Sequence, residues 1–202
     1  MGITLDNFFQ NIYDVIFSPK AFFENENMTV STRLAAGLVT VYALLNASME
    51  AAFDSSFSAW FSLFGSLSGV FFSLFIVLSI VSALTVWILT ALFFEYTAKI
   101  FNQNGCMRKL LYLTAFASIP SVFLAPVNLL KQAGAAGYCI SAVLTAFIFI
   151  WIVILYTLAV KSAYKITAAR AFMFIFLPAA ALIPALYQTA VFYSKVCYIL
   201  AV

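Results

Sequence analysis

Long apolar stretches separated by short polar segments dominate the chain. They cover about residues 34–53, 70–94, 110–130, 138–160 and 171–192. Each is close to the roughly 20 residues that a helix needs to cross a hydrocarbon core of about 30 Å. The pattern therefore predicts an all-α membrane protein, with a bundle of five transmembrane helices over residues 32–202.

Residues 1–31 have a different pattern. Apolar and polar side chains alternate at helical spacing, the apolar side being Leu5, Phe8, Phe9, Ile12 and Ile16 and the polar side Asp6, Asn7, Gln10, Asn11 and Asp14. This predicts an amphipathic helix that ends at Ser18-Pro19. Two compatible positions stay open for it, in the membrane interface or against the ends of the other helices. Its polar side is acidic, which argues against recruitment by anionic lipid.

Composition supports the membrane assignment and excludes several functions. Hydrophobic residues make up 65% of the chain and charged residues only 8%, whereas soluble domains have about 25% charged residues. The net charge of +3 is too small for nucleic-acid binding. Histidine is absent, which excludes imidazole catalysis and imidazole metal sites. We therefore expect no enzyme, no metal and no cofactor, and no nucleic-acid partner.

Other catalytic patterns are missing as well. The chain has no P-loop, GxSxG or HExxH sequence, and its three cysteines, Cys106, Cys139 and Cys197, have no metal-ligand spacing. Whether Cys139 and Cys197 form a disulfide stays open.

The basic residues predict how the spans are oriented, because cytoplasmic loops are enriched in Lys and Arg. Alternating spans place eight of them on one side, here called the basic face: Lys20, Arg33, Lys99, Arg108, Lys109, Lys161, Lys165 and Arg170. The opposite face has only Lys131 and Lys195. We expect a prokaryotic cytoplasmic membrane protein with its N-terminus in the cytoplasm and its C-terminus outside.

Two of the predicted spans have paired prolines at the same spacing. Pro120 and Pro126 lie in the third span, and Pro178 and Pro184 lie in the fifth. Proline frees backbone carbonyls inside a helix, and transporters use such breaks to build binding sites near the midplane. The simpler interpretation is that these prolines only kink the two helices.

Polar and charged residues inside or beside the spans are the other candidate site. Asn46 and Glu50 lie near the far end of the first span, and Glu95 lies at the basic face one turn before Lys99. Lys161, Lys165 and Arg170 are close enough in the predicted topology to reach Glu95. We interpret Glu95 as a member of a structural ion pair at the interface. Because no acidic residue falls at the centre of a predicted span, we expect no proton relay or cation pathway through the midplane.

The order of these features resembles a known family. The relevant segments are FSPKAFF at residues 17–23, LFFEYTAKIFNQNGCMRKLLYLTAFASIP at 92–120 and LAVKSAYKITAARAF at 158–172. Together they resemble the Yip domain family of Ypt/Rab-interacting membrane proteins, in its shorter prokaryotic branch. The resemblance implies five spans and a cytoplasmic N-terminus, and it supplies no catalytic residue. The DLYGP motif of eukaryotic members is absent, so Rab binding is not carried over.

Three functions remain open at this stage. The first is a non-enzymatic membrane protein that organises the bilayer or scaffolds a partner. The second is a transporter or channel component for a lipid or small amphiphile, and the third is an accessory subunit of a transport complex. The expected partners are membrane lipids, together with a membrane-protein partner or a second copy of the chain.

Overall fold

The computed structural model describes residues 5–25, 28, 30–53, 68–103 and 105–176 of the chain. Throughout this part the regular structure is helical, and no strand is found in it. The predicted all-α class is therefore confirmed.

Seven α-helices are bounded as follows: α1 Leu5–Phe17, α2 Pro19–Glu24, α3 Thr32–Phe53, α4 Ser68–Ile100, α5 Met107–Ala117, α6 Leu124–Leu129 and α7 Ala135–Tyr164. Two 3₁₀ segments, Ile119–Phe123 and Leu130–Ala133, flank α6. Residues 168–176 are also helical.

Within the described residues, four helical stretches are long and apolar enough to cross a membrane. They are the first span in α3 (Thr32–Ala51), the second in α4 (Ser68–Ile100), the third over α5 and α6 (Met107–Ala133) and the fourth in α7 (Ala135–Tyr164). The predicted fifth span, 171–192, begins in the helical residues 168–176, and the rest of it lies outside the described residues.

Some helix bounds differ from the sequence-based ones. The second span was expected to end near residue 94, but α4 continues to Ile100. Its last turn contains Lys99, which forms an ion pair with Glu95 one turn earlier. The polar segment 131–137 is not a loop of seven residues, because the helical path is interrupted there only at Gly134, which has a φ of 80°.

The third span is the centre of the bundle. In the most apolar 18-residue window of each span, the buried share is 56% for the third span and 6% for the second. The third span is not one straight helix, because α5 ends at Ala117 and the chain passes into the 3₁₀ segment that contains Pro120. Proline has no N–H to donate to the helix, which accounts for the break at this point.

Polar side chains on the third span bond to three different spans. The indole Nε1 of Trp87 donates to Thr114 Oγ1 at 3.1 Å, and Ser118 Oγ lies 2.8 Å from Tyr156 Oη. Ser118 is also hydrogen-bonded to Tyr42 of the first span. These bonds fix the rotation of the spans about the third, since hydrocarbon offers polar groups no alternative partner.

The N-terminal helix α1 has three distinct faces. One face packs on the protein through Val15, which is fully buried, and through Phe8, whose ring lies 6.5 Å from that of Phe116. A second face is polar, with Gln10 Nε2 donating to Asp14 Oδ1 at 2.9 Å. A third face exposes the aromatic stripe of Phe9, Tyr13 and Phe17. The helix is therefore both packed on the bundle and open to its surroundings.

The junction between the third and fourth spans depends on Gly137. A methyl group on Gly137 would collide with the backbone carbonyl of Leu130, whereas one on Gly37 in the first span would meet nothing within 4 Å. We expect Gly137→Ala to lower the free energy of unfolding by about 1–3 kcal/mol, because overpacking displaces backbone. Gly37→Ala should be neutral or up to about 1 kcal/mol stabilising.

Thermal unfolding of both variants in the same detergent tests this expectation. Equal stability of Gly137→Ala and the unmodified chain would show that the two spans do not approach as closely as described.

Candidate functional site

A polar cavity opens beside the break in the third span. Its volume is about 580 Å³. Its lining residues come from α3, from the third span and from the start of α7: Asn46, Glu50, Ser121, Leu124, Ala125, Asn128, Leu129, Lys131, Gln132 and Tyr138. A cavity with this many amide, hydroxyl and charged groups is unusual inside a chain that is 65% hydrophobic.

The cavity extends from the opposite face toward the middle of the bundle. Asn46 lies two turns, or about 10 Å, before the end of α3 at Phe53. Its Nδ2 donates to the backbone oxygen of Ser121 at 3.5 Å, which connects α3 to the broken part of the third span. The 3₁₀ segment after Pro120 brings Ser121 to this position.

Two polar atoms beside this cavity have no hydrogen-bond partner among the residues that the structure describes. They are Asn46 Oδ1 and Ser121 Oγ, and both are shielded from solvent by the protein. A buried polar atom without a partner costs about 1–3 kcal/mol, so such atoms usually bond to water or to a ligand. Both atoms can accept a hydrogen bond, and they therefore favour a guest that donates one.

The structure brings some of the predicted site residues together here. Asn46 and Glu50 line the cavity, and Pro126 lies in α6 between Ala125 and Asn128, which also line it. Pro120 is buried at the start of the break. Pro178 and Pro184 lie outside the described residues, so the position of the second proline pair stays a prediction.

Glu95 belongs to a separate cluster at the basic face. Its Oε1 lies 3.6 Å from Lys99 Nζ, and its Oε2 accepts a hydrogen bond of 2.5 Å from Tyr164 Oη. Lys99 is largely exposed, so its pair with Glu95 contributes little to stability. The bond from Tyr164 is the one that connects the second span to the fourth.

The other three basic candidates have different positions. Lys161 Nζ bonds to Glu24 Oε1 at 2.8 Å, and this pair attaches α2 to the fourth span. Lys165 caps the end of α7, and Arg170 is exposed in the next helix.

Sequence analysis did not identify several residues of these sites. Ser121, Lys131, Gln132 and Tyr138 join the cavity only because the third span breaks and folds back on α7. Ser121 directly follows Pro120, and its position next to this proline was the feature of the sequence that could have indicated it. Cys139 has a free, exposed thiol, and Cys197 lies outside the described residues.

Accessibility to a charged thiol reagent tests whether the cavity contains water. In a background with Cys106, Cys139 and Cys197 replaced by Ser, we expect Asn128→Cys, at an exposed position on the cavity wall, to react with a methanethiosulfonate ammonium reagent. The control is Thr85→Cys, at mid-depth on the lipid-facing side of the second span. The thiol at position 85 should react more slowly by about tenfold or more, because a thiol ionises only where water reaches it. Equal rates would show that the cavity is dry.

Acidification should weaken the attachment of α2. The hydrogen bond from Lys161 holds the pKa of the Glu24 carboxyl below its usual value of 4.5. The pair therefore contributes fully above about pH 4.5, and its contribution is lost as the pH falls through the lowered pKa. We expect a spin label at Ala21→Cys to become more mobile in that range. Glu24→Gln should abolish this pH dependence, and a transition that persists in it would assign the effect to another group.

Comparison with known proteins gives one match. The family model described as the Yip1 domain matches residues 13–188. No significant match was found among curated proteins or among solved structures. The matched range includes α2, the four spans and most of the predicted fifth, and it confirms the resemblance drawn from the sequence segments. The chain is an integral membrane protein that belongs to the Yip1 domain family.

Proposed function

We propose that this protein is a non-enzymatic membrane protein that organises the bilayer around its basic face. The observation that carries the proposal is the exposed aromatic stripe of α1. Phe9, Tyr13 and Phe17 are 64%, 55% and 67% exposed, although they lie on a helix whose neighbouring face is packed on the bundle.

The stripe recurs every four residues, so its side chains form one continuous ridge along α1. The rings of Tyr13 and Phe17 are 4.6 Å apart. The polar face with Gln10 and Asp14 lies beside the ridge. A helix with an apolar ridge and a polar face lies in the interface plane, where the ridge enters the acyl region and the polar face stays in water.

The position of α1 makes its effect on the bilayer asymmetric. It packs on Phe116 and Tyr112 of the third span, close to the end that begins at Met107 on the basic face. Volume added by α1 therefore enters only one leaflet, which favours bending of the bilayer. The excess of basic residues on this face supports a cytoplasmic position for it, in a prokaryotic membrane.

Removal of the aromatic stripe tests this function. In the purified chain reconstituted into phosphatidylcholine vesicles, we expect the unmodified protein to reduce vesicle diameter or to form tubules. The triple variant Phe9→Ser, Tyr13→Ser, Phe17→Ser should lose this effect, because each aromatic side chain contributes about 1.5–3 kcal/mol on leaving water. Electron microscopy of the vesicles provides the measurement.

The matched control keeps the apolar ridge but removes the rings. The variant Phe9→Leu, Tyr13→Leu, Phe17→Leu should retain most of the remodelling. Remodelling by the serine variant at the same protein-to-lipid ratio would contradict the proposal.

The polar cavity favours a second candidate function, binding or transport of a small polar or amphiphilic molecule. The cavity lies beside Pro120 and Pro126, and two acceptor atoms next to it have no partner in the described part of the chain. A liposome uptake assay with a panel of lipids and solutes tests this function. Asn46→Leu should reduce uptake of a true substrate, whereas Thr85→Val on the lipid-facing surface should not. Absence of uptake for the whole panel would leave the bilayer-organising role.

A partner would also be consistent with the exposed surfaces of the bundle. We propose a membrane-protein partner or a second copy of the chain as alternatives to lipid at these surfaces. Affinity purification in mild detergent should then recover one stoichiometric companion, and repeated recovery of the single chain would contradict this alternative.

A further inference from the structure

The polar cavity has charged groups of opposite sign on two of its walls. Glu50 lies in the last turn of α3, and Lys131 lies in the 3₁₀ segment at the end of the third span. Both residues are exposed, and neither side chain forms an ion pair or a hydrogen bond with another residue that the structure describes. A carboxylate and an ammonium group on separate walls are therefore both open to contact with a guest in the cavity.

The depth of these two groups in the membrane follows from the ends of the spans. The first span ends one residue after Glu50, and the third ends two residues after Lys131. Tyr138, which also lines the cavity, is the fourth residue of the fourth span. Side chains at the ends of membrane-spanning helices lie at the level of the lipid headgroups. The charged part of the cavity is therefore at headgroup level on the opposite face.

An apolar wall continues from Lys131 toward the middle of the bundle. Leu124 and Leu129 of α6 line the cavity on this side, and Leu124 is about two helical turns deeper than Lys131. The wall formed by α3 is polar instead, with Asn46 one turn below Glu50 on the same face of that helix. A guest with a zwitterionic head and an apolar tail matches both walls, because each part of it meets groups of its own kind.

We propose that the cavity binds a phosphoethanolamine group, and that its source is the headgroup of phosphatidylethanolamine. The Glu50 carboxylate accepts hydrogen bonds from the primary ammonium group of the lipid, and Lys131 neutralises the phosphate. Leu124 and Leu129 contact the first carbons of an acyl chain. The volume of about 580 Å³ is in the usual range of small-molecule sites. This inference rests on the second candidate function, binding or transport at the cavity, and it names the class of molecule that is bound.

Ethanolamine fits these walls better than the other common headgroups do. A primary ammonium group has three N–H donors, and an ionised carboxylate can only accept. Choline has no N–H, and proteins recognise it with a cage of several aromatic rings. Among the described residues that line the cavity, only Tyr138 is aromatic. A glycerol headgroup has no positive charge to pair with Glu50.

Native mass spectrometry of the full chain with added lipid tests the proposal. Dioleoyl phosphatidylethanolamine should bind about tenfold more tightly than dioleoyl phosphatidylcholine, because only the first donates a charge-assisted hydrogen bond to Glu50. Glu50→Gln should weaken phosphatidylethanolamine binding by about tenfold and leave phosphatidylcholine binding unchanged. The fold should be preserved in this variant, because Glu50 is exposed and has no partner among the described residues.

The matched control removes a carboxylate at the other face of the membrane. Glu24→Gln should leave phosphatidylethanolamine affinity within about twofold of that of the unmodified chain, because the distance exceeds the screening length. A second pair of variants separates the phosphate from the ammonium group. Lys131→Gln should weaken binding of both lipids equally, since both have the phosphate, and Lys131→Arg should restore it.

Three outcomes would overturn the proposal. One is equal binding of the two lipids, and another is an equal effect of Glu50→Gln and Glu24→Gln. The third is binding of glycerophosphoethanolamine, which has no acyl chains, as tightly as the lipid, since this would assign the cavity to a soluble ester. Tighter binding of phosphatidylglycerol that Lys131→Gln abolishes would also reject the headgroup but keep the cavity as a binding site. Failure of the whole uptake panel, in contrast, would contradict the second candidate function itself.

Discussion

The hydrogen bonds of the third span are the constraint on which the rest of the structure depends. Thr114 and Ser118 lie one turn apart on a helix with little access to water, and they bond to side chains of three other spans. In hydrocarbon an unpaired hydroxyl cannot form a hydrogen bond with water. Each of these bonds therefore contributes about 0.6–2 kcal/mol to stability, and each specifies one rotation of the partner helix. Apolar contacts alone would leave that rotation undetermined, since lipid is as apolar as leucine.

The break at Pro120 divides the third span into two parts that have different surroundings. Before the break, α5 is buried from Leu110 to Ala117, except at the half-buried Leu111; after it, the chain is partly exposed and lines the polar cavity. The 3₁₀ segment after Pro120 places Ser121 beside Asn46. The proline therefore separates the packing half of the span from the half beside which Asn46 and Ser121 have acceptor atoms with no partner among the described residues.

Some of this arrangement was predictable from single segments. The amphipathic pattern of α1 is local, so the helix and its apolar and polar sides were predictable, whereas its position, in the membrane interface or against the other helices, stayed open. Asn46 and Glu50 were singled out because polar residues are rare in spans. The partners of Glu95 and Lys161 were not predictable in the same way. Lys161 was one of three basic residues that could reach Glu95 in the predicted topology, but it bonds to Glu24, and Tyr164 bonds to Glu95. Which side chains pair depends on the rotation of each helix about its axis, and a sequence pattern does not specify that rotation.

By itself the sequence determined the membrane class, the approximate spans and the charge difference between the two faces, because hydropathy and charge are properties of consecutive residues. Only the tertiary structure decided which polar residues meet. The cavity joins residues 46 and 132, and the ion pair at the basic face joins residues 24 and 161. Both depend on the rotation and breaks of helices packed in lipid, where a few hydrogen bonds, and not the overall apolar pattern, select one arrangement.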